Sequence, residues 1–264
     1  MTAEKRKRSN ALVTGASSGI GADLARVLAR EGYDLVLVAR SRDRLDALAR
    51  ELHDAHGATA RAIPIDLSVA GAARELRERV AREGVEIDVL VNDAGFGMRG
   101  PFVDLDPARQ VEMIQVNLVA LTELTRLFLP DMVQRGMGRI LNVASTAAFQ
   151  PGPVMAVYFA TKAYVLSFSE ALAEELRGSG VTVTCIAPGA TESGFGDVAG
   201  VSATRLFRSG TMSSKVVAEA AYAAASKGVA LAVPGCRNRI LSASVRFLPI
   251  SMAARVARHM MGTP

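Results

Sequence analysis

Apolar and polar positions along the chain follow two different rhythms. Short apolar runs rich in β-branched residues are typical of strands that are buried on both faces. These runs span residues 10–14, 34–39, 59–65, 87–92, 138–144, 181–187 and 229–233. Between them, apolar residues recur at helical spacing over residues 19–31, 41–55, 70–83, 107–130, 157–177 and 213–227. The strict alternation predicts βαβ crossovers, and therefore an α/β fold with a doubly wound parallel sheet of about seven strands.

Two segments depart from this alternation. Residues 189–212 are rich in Gly, Ser and Thr and have no clear period, and we interpret them as a long substrate loop. Residues 237–264 form a predicted C-terminal helical extension, in which Pro249 separates two short helices. Because no repeat, low-complexity tract or linker interrupts the series before residue 190, we expect a single domain over residues 1–264.

The last predicted helix is amphipathic. Its apolar residues share one face at steps of four and its cationic residues lie opposite: Met252, Val256 and Met260 against Arg255, Arg258 and His259. Such a helix can cover the substrate pocket, pack on a neighbouring subunit or lie on an anionic membrane surface. Peripheral membrane contact ranks third among these alternatives.

Composition excludes several classes of protein. Half of the 264 residues are hydrophobic, which is enough for a large core. The sequence has no uncharged apolar run of 18 residues and no apolar leader region, so we expect a soluble, cytoplasmic protein. In that compartment Cys185 and Cys236 are expected to be reduced. The three histidines lack the spacing of metal ligands, and no metal site is predicted.

The net charge of +5 belongs to the two ends of the chain. Residues 4–8 supply four basic groups and one acidic group, and residues 237–264 supply five arginines and no acid. We interpret residues 1–9 as a solvated basic arm. No aromatic interleaving or nucleic-acid reader motif accompanies these charges, so no nucleic-acid partner is expected.

The stretch TGASSGIG places Gly15, Gly19 and Gly21 between the first predicted strand and the first predicted helix. Glycines in this context let backbone N–H groups and the helix dipole face a diphosphate, because larger side chains would block the approach. The alternative is a tight strand-to-helix connection that binds no ligand. The spacing is G-x3-G-x-G and not the better-known G-x-G-x-x-G.

This turn resembles the cofactor turn of the short-chain dehydrogenases/reductases, and further motifs follow in that family's order. They are PIDLS around Asp66, NDAG at residues 92–95, QVNLVA around Asn117, NVAST around Ser145, YFATK from Tyr158 to Lys162, and Pro188-Gly189 followed by Thr191. Asp93 replaces the second Asn of the family's N-N-A-G stretch, a departure that we expect to be mild.

The resemblance implies a Rossmann-type fold that binds a nicotinamide dinucleotide. Asp66 corresponds to the family's aspartate at the adenine ring. The residues implied to contact the cofactor are Gly15, Ser17, Ser18, Gly19, Ile20, Gly21, Arg40, Asp66, Leu67, Asn92, Ala94, Gly95, Tyr158, Lys162, Pro188, Gly189 and Thr191.

The end of the second predicted strand favours NADP(H) over NAD(H). An NAD-binding protein usually ends this strand with an acid for the ribose 2′-hydroxyl, whereas a 2′-phosphate needs a cation. Here Ala39 takes the place of the acid and Arg40 follows, with Ser41 and Arg42 close by. A 2′-phosphate would therefore meet guanidinium and hydroxyl donors. The alternative is that these arginines begin a solvated helix.

Tyr158 and Lys162 lie at positions i and i+4 of a predicted helix, and hence on one face. A phenol titrates near about 10, and a neighbouring ammonium favours its phenolate, so the pair predicts an acid/base for proton transfer. Ser145, at the end of a predicted strand, is placed to hold a substrate carbonyl oxygen. Each motif alone also has a structural explanation, such as chance spacing or a turn cap. By the resemblance, Lys162 also holds the nicotinamide ribose and Asn117 positions Lys162 through a water.

The residues expected to face the substrate are mainly apolar. They include Phe96, Phe149 and Phe195 beside Ser145, with Gly97, Met98, Pro151 and Phe207 nearby. Such a lining suits a lipophilic or bulky ketone, or the matching secondary alcohol. The alternative is that several of these side chains only pack the loops.

The sequence therefore predicts an NADP(H)-dependent oxidoreductase that interconverts a ketone and a secondary alcohol. The alternative is a non-catalytic NADP(H)-binding regulatory or interaction protein, which would predict a damaged Ser, Tyr or Lys, and none is damaged. Related epimerases and dehydratases are longer, with a separate substrate domain.

The predicted helices over residues 107–130 and 157–177 are apolar over more than one face, which indicates burial beyond that of a surface helix. In the family that the chain resembles, these two helices form a dimer interface. A homodimer or homotetramer is therefore expected.

Overall fold

The computed structural model describes residues 8–262. Residues 1–7 of the predicted basic arm and the last two residues of the predicted C-terminal extension lie outside the described residues.

The strands form two parallel sheets. In chain order they are β1 (Asn10–Thr14), β2 (Asp34–Ala39), β3 (Ala60–Pro64), β4 (Val89–Asn92), β5 (Gly138–Val143), β6 (Val181–Ile186), β7 (Thr191–Glu192), β8 (Met212–Ser213) and β9 (Leu231–Ala232). Seven of them make one sheet in the order β3-β2-β1-β4-β5-β6-β9, while β7 pairs with β8. Every pairing is parallel, so the predicted Rossmann-type α/β fold with a seven-stranded sheet is confirmed.

The helices lie between the strands and after the last one. They are α1 (Gly19–Arg30), α2 (Arg42–His56), α3 (Ala72–Arg82), α4 (Pro107–Ile114), α5 (Leu121–Arg135), α6 (Ala156–Glu175), α7 (Phe195–Ala199), α8 (Arg205–Arg208), α9 (Ser214–Ser226), α10 (Cys236–Ser244) and α11 (Ile250–Met261). A π-helical segment, Gln115–Ala120, joins α4 to α5, and short 3-10 turns span Thr146–Phe149 and Val245–Phe247.

Helices cover both faces of the large sheet, which explains the continuous apolar strands. In β2, Leu35 and Leu37 pack in the cluster that includes α1, α2 and α9. Val36 and Val38 pack on the other face, in the cluster that includes α3 and α5. Successive strand residues point to opposite faces, so a strand buried on both sides must be apolar at every position.

The structure corrects two of the predicted boundaries. The helix expected to end at residue 130 continues to Arg135 with Pro130 inside it, because the apolar pattern continues through the fully buried Met132. Residues 189–212, expected to be irregular, contain β7, α7 and α8 and end at the start of β8. These elements have two to five residues each, too few for a periodic signal.

The C-terminal extension contains α10 and α11, and Pro249 directly precedes α11, as expected. The face of α11 that packs on the protein is formed by Ala253, Ala257 and Met261. Met252 and Val256, which lie on the apolar face described from the sequence, are exposed. Within residues 8–262, none of the helices combines the length and apolar character needed to cross a bilayer.

Candidate active site

The candidate site lies at the carboxyl ends of the central strands. Strand order reverses between β1 and β4, and in open parallel sheets this switch point is where ligands bind. The Thr14 hydroxyl, at the end of β1, accepts hydrogen bonds from the N–H groups of Asp93 and Ala94, at 3.0 and 3.1 Å. These bonds fix the chain that leaves β4 against the glycine-rich turn that leaves β1.

Gly15, Gly19 and Gly21 leave no room for larger residues at this turn. Gly15 and Gly19 have φ values of +72° and +55°, in the left-handed region. A Cβ on Gly21 would lie 2.5 Å from the Gly15 carbonyl oxygen, well inside contact distance. The turn leads directly into the N-terminus of α1, whose first turn carries no acid. The chain therefore offers backbone N–H groups and the positive end of a helix dipole to a diphosphate.

The end of β2 carries cations, as predicted from the sequence. Ala39 is half-buried, and Arg40 and Arg42 are exposed beside it. Asp66, after β3, accepts hydrogen bonds from the backbone N–H and the hydroxyl of Ser68, at 2.9 and 2.8 Å. Although burial opposes it, these bonds, together with the charges of Arg40 and Arg109, hold the pKa of Asp66 below its usual value.

Tyr158 and Lys162 lie one turn apart near the start of α6, and both are buried. The Lys162 Nζ donates a hydrogen bond to the Val143 carbonyl oxygen at 2.8 Å, and lies 5.8 Å from the centroid of the Tyr158 ring. The ammonium is thus tied to the end of β5, next to Ser145. The structure brings Ser145, Tyr158 and Lys162 together.

Burial raises the pKa of Tyr158 to about 12, hydrogen bonding to Ser145 opposes the rise, and the charge of Asp93 adds to it. The expectation of a more acidic phenol is therefore wrong for the net shift, since the hydroxyl is less acidic in this structure than in free tyrosine. The physical reason is that desolvation of a buried phenolate outweighs the interactions that favour it. At neutral pH the phenol holds its proton.

Asn117 lies in the π-helical segment between α4 and α5. Its amide nitrogen donates to the Phe96 carbonyl oxygen at 3.0 Å and to the Thr161 hydroxyl at 3.1 Å. Its amide oxygen accepts from the Phe96 N–H at 3.1 Å. The side chain therefore joins the loop after β4 to α6, and Gly95 allows this close approach, since a Cβ there would lie 3.0 Å from the Asn117 Oδ1.

Asp93 is the site residue whose importance sequence reasoning underestimated. Its Oδ2 would lie 2.6 Å from a Cβ on Gly21, and its carboxylate accepts a hydrogen bond from the Gly21 N–H. Burial raises the pKa of Asp93 to about 7, although the charge of Lys162 opposes this. Burial likewise lowers the pKa of Lys162 to about 8, against the charge of Asp93. The sequence signal that could have revealed this role is the carboxylate of Asp93 at a position where the resembling family has the second Asn of N-N-A-G.

Three predicted residues have side chains engaged elsewhere. The Asn92 amide nitrogen donates to the hydroxyl of Thr125 and to the side-chain oxygen of Asn142, inside the sheet. Leu67 packs in the core cluster with α3 and α5. Phe149 packs in a cluster with Ala148 and neighbouring apolar residues, apart from Tyr158.

After β6, the chain returns to the crevice. The Pro188 carbonyl oxygen accepts a hydrogen bond from the Thr146 N–H at 2.8 Å, which fixes this loop beside Ser145. The Thr191 hydroxyl donates to the Gly189 carbonyl oxygen at 2.9 Å, and Ser193 packs against Gly19 of the glycine-rich turn.

An apolar group of side chains, here called the Tyr158 cluster, surrounds the phenol. Buried Met113, Met155, Phe159 and Met261 form it, with Phe96, Met98, Phe195 and Phe207 partly buried against them. The rings of Tyr158 and Phe195 are 5.1 Å apart between centroids. A cleft beside it is lined mostly by apolar side chains, including Met98, Met113, Met155 and Val157. Among the described residues, no group of three or more His, Cys, Asp or Glu could hold a metal ion.

The fold and the glycine-rich turn define an α/β protein of the dinucleotide-binding class. A family model for short chain dehydrogenase matches residues 9–199. The chain belongs to the short-chain dehydrogenase/reductase family.

Three relatives show how much of this chain the similarity covers. The human very-long-chain 3-oxoacyl-CoA reductase is 36% identical over 182 residues, which cover 67% of this chain and 58% of that protein, so the match spans less than two thirds of this relative. A short-chain dehydrogenase from Sphingobium yanoikuyae, solved in complex with NADPH, is 35% identical with a TM-score of 0.81, covering 90% of this chain and 94% of that one. The bulky-bulky ketone specific alcohol dehydrogenase from Comamonas testosteroni is 30% identical with a TM-score of 0.77, covering 90% and 92%.

Proposed function

We propose that the protein is an NADP(H)-dependent oxidoreductase that interconverts a ketone and a secondary alcohol on a lipophilic substrate. The observation that carries the proposal is the joint placement of Ser145, Tyr158 and Lys162 at the switch point, beside a turn that only glycine can form. The residues that we assign to proton transfer and to dinucleotide binding thus lie in one crevice.

The crevice fits a nicotinamide dinucleotide. The glycine-rich turn would hold the diphosphate, Asp66 the adenine ring, Arg40 the 2′-phosphate, and Tyr158 and Lys162 the nicotinamide ribose. When bound, the cofactor supplies or accepts a hydride at the substrate carbon.

The protein's own groups account for the proton. The Ser145 hydroxyl would donate a hydrogen bond to the carbonyl oxygen of the substrate, and the Tyr158 hydroxyl would give its proton to that oxygen. Because the phenol holds its proton at neutral pH, Tyr158 would act as the acid in ketone reduction. Lys162 would stabilise the phenolate left behind, and Asn117 would position Lys162 through a water.

The preference for NADP(H) is supported by Ala39 and Arg40 at the end of β2 and by the NADPH bound in the Sphingobium relative. A guanidinium pairs with a phosphate through charge-assisted hydrogen bonds that a ribose hydroxyl cannot replace. Fluorescence titration with NADPH and NADH tests this preference. Tighter binding of NADPH is expected, and equal or tighter binding of NADH would remove the proposal.

A lipophilic substrate is supported by the apolar Tyr158 cluster and by the names of two relatives, a very-long-chain 3-oxoacyl-CoA reductase and an alcohol dehydrogenase specific for bulky-bulky ketones. The test is incubation with NADPH and a panel of long-chain, bulky and short polar ketones, followed by absorbance at 340 nm. Loss of absorbance with the apolar members supports the proposal, and turnover confined to short polar ketones contradicts it.

We also propose a homodimer or homotetramer in the cytoplasm. Exposed apolar side chains on α4–α6, among them Val111, Ile114 and Tyr164, support a self-association surface. Cys185 and Cys236 are both free, which supports a reducing compartment.

A further inference from the structure

The C-terminal extension exposes an unusual amount of apolar surface. Phe247 is 88% exposed, Ile250 73% and Ile240 68%. Further large apolar side chains of this segment are also exposed. We call these exposed side chains the C-terminal apolar surface: Ile240, Leu241, Phe247, Leu248, Ile250, Met252 and Val256. Large apolar side chains exposed close together in one segment are typical of a site that contacts another molecule or a membrane.

The charged side chains of the same segment are all basic. Arg237, Arg239, Arg255 and Arg258 are exposed, and residues 237–264 contain no Asp or Glu. None of these four arginines forms an ion pair with the residues that the structure describes. Arg237 donates a hydrogen bond to the Ser209 carbonyl oxygen at 2.9 Å. Unlike Arg30 and Arg26, which are paired with acids on the body of the protein, Arg239, Arg255 and Arg258 stay available for an anionic partner.

The apolar surface cannot be buried by a small rotation of α11, because the helix is already fixed by its inner face. Ala253, Ala257 and Met261 pack inward, and Met261 lies in the Tyr158 cluster. The Arg99 side chain donates to the Met261 carbonyl oxygen at 2.8 Å. Met252 and Val256 therefore stay on the side of α11 that faces away from the rest of the chain.

The charges decide what kind of partner fits. A symmetric contact of this surface with a second copy would place its arginines against the same arginines, with no acid from the segment to neutralise them. An anionic lipid surface satisfies both properties, since apolar side chains enter the acyl boundary while guanidinium groups meet lipid phosphates. We propose that the C-terminal apolar surface binds the protein peripherally to anionic membranes.

The position of Met261 connects the C-terminal extension to the candidate active site. Met261 joins the extension to the Tyr158 cluster, so the membrane-facing surface and the apolar cleft belong to adjoining parts of the fold. A lipophilic substrate would then reach the cleft from the bilayer and not from water. This consequence rests on the proposed function, whereas membrane binding itself does not.

Vesicle flotation of the full chain tests the proposal without any need for turnover. We expect binding to vesicles of phosphatidylcholine with phosphatidylglycerol, much weaker binding to phosphatidylcholine alone, and weakening of the former by salt. Absence of wild-type binding to the anionic vesicles at low salt would overturn the proposal, whatever the outcome of the ketone assay.

Two variants identify the surface. Phe247→Ser with Ile250→Ser, and Arg255→Gln with Arg258→Gln, should each weaken binding to anionic vesicles by about tenfold or more. The matched control is Val69→Ser with Val216→Ser, since both valines are exposed on other parts of the fold, and it should leave binding unchanged. Circular dichroism establishes that each variant is folded.

Unchanged vesicle binding in both test variants would place the contact elsewhere and contradict the proposal. So would a result in which the Phe247/Ile250 variant lowers the oligomeric mass in light scattering while vesicle binding stays at the wild-type level. In that case the surface would be an interface between copies of the chain.

Discussion

Asp93 and Lys162 are two groups of opposite charge in the crevice, and both are largely shielded from water. Asp93 and Lys162 each shift the pKa of the other toward its charged form, and burial shifts both toward the neutral form. Burial is the larger cause for each group. The carboxylate under the glycine-rich turn therefore titrates close to neutral pH, where an ordinary Asp is fully ionised.

We predict that Asp93 makes the protein less stable as pH rises from about 4 to 7. Its pKa is higher in the folded state than in the unfolded state, so the folded state binds more protons in this window and the free energy of unfolding falls with increasing pH. Lys162, with a folded pKa of about 8, stays protonated in both states over most of this range. Replacing Asp93 with Asn should flatten the profile of melting temperature against pH.

The control for this prediction is Asp54→Asn, which removes an exposed carboxylate on α2. The control should keep the wild-type slope. Equal slopes for Asp93→Asn and the wild type would show that this carboxyl does not titrate in the window.

Among the elements, the turn from β1 to α1 is the most constrained. Gly21→Ala would place a methyl group 2.5 Å from the Gly15 carbonyl oxygen, so the turn must shift. We expect NADPH affinity to fall by about tenfold or more, because the backbone N–H groups then lose their alignment. Fluorescence titration measures the change.

Gly57→Ala is the matched control for this variant. Gly57 has a φ of +60° at the C-terminus of α2, and nothing lies within 4 Å of the position that an alanine methyl group would take there. Alanine strains the backbone at this position and lowers the melting temperature, but it should leave NADPH affinity unchanged. If both variants lost affinity equally, general destabilisation would explain the result and not the shape of the turn.

The elements also show what the amino-acid sequence could predict. The strands of the large sheet were predictable because burial on both faces makes them apolar throughout, and β1 and β2 match their predicted ranges. Short elements such as α8 were not predictable, since a helix of four residues capped by Thr204 is too short to show a helical repeat of apolar positions. The grouping of Ser145 with Tyr158 followed from motif order, but the raised pKa of the phenol depends on packing that motifs do not encode.

In the molecule as a whole, large apolar side chains are exposed both on α4–α6 and in the C-terminal extension, and we assign a different contact to each. The surface on α4–α6 supports self-association, while the C-terminal apolar surface carries cations and no acid. We predict a solution mass of at least twice that of one chain, measured by light scattering after size exclusion. Tyr164→Glu should lower that mass, because a charge would enter the interface. A wild-type monomer would contradict the assignment of α4–α6 to an interface.

The most direct test of the enzyme proposal is to replace Tyr158 with Phe and measure NADPH-dependent reduction of the best ketone from the panel. Tyr164→Phe is the matched control, since Tyr164 lies on the exposed side of α6 and its hydroxyl is hydrogen-bonded to Thr122 of α5. We predict that Tyr158→Phe lowers turnover by about a hundredfold or more, with NADPH affinity nearly intact, while Tyr164→Phe keeps wild-type turnover. Wild-type turnover in Tyr158→Phe would contradict the assignment of proton transfer to this phenol.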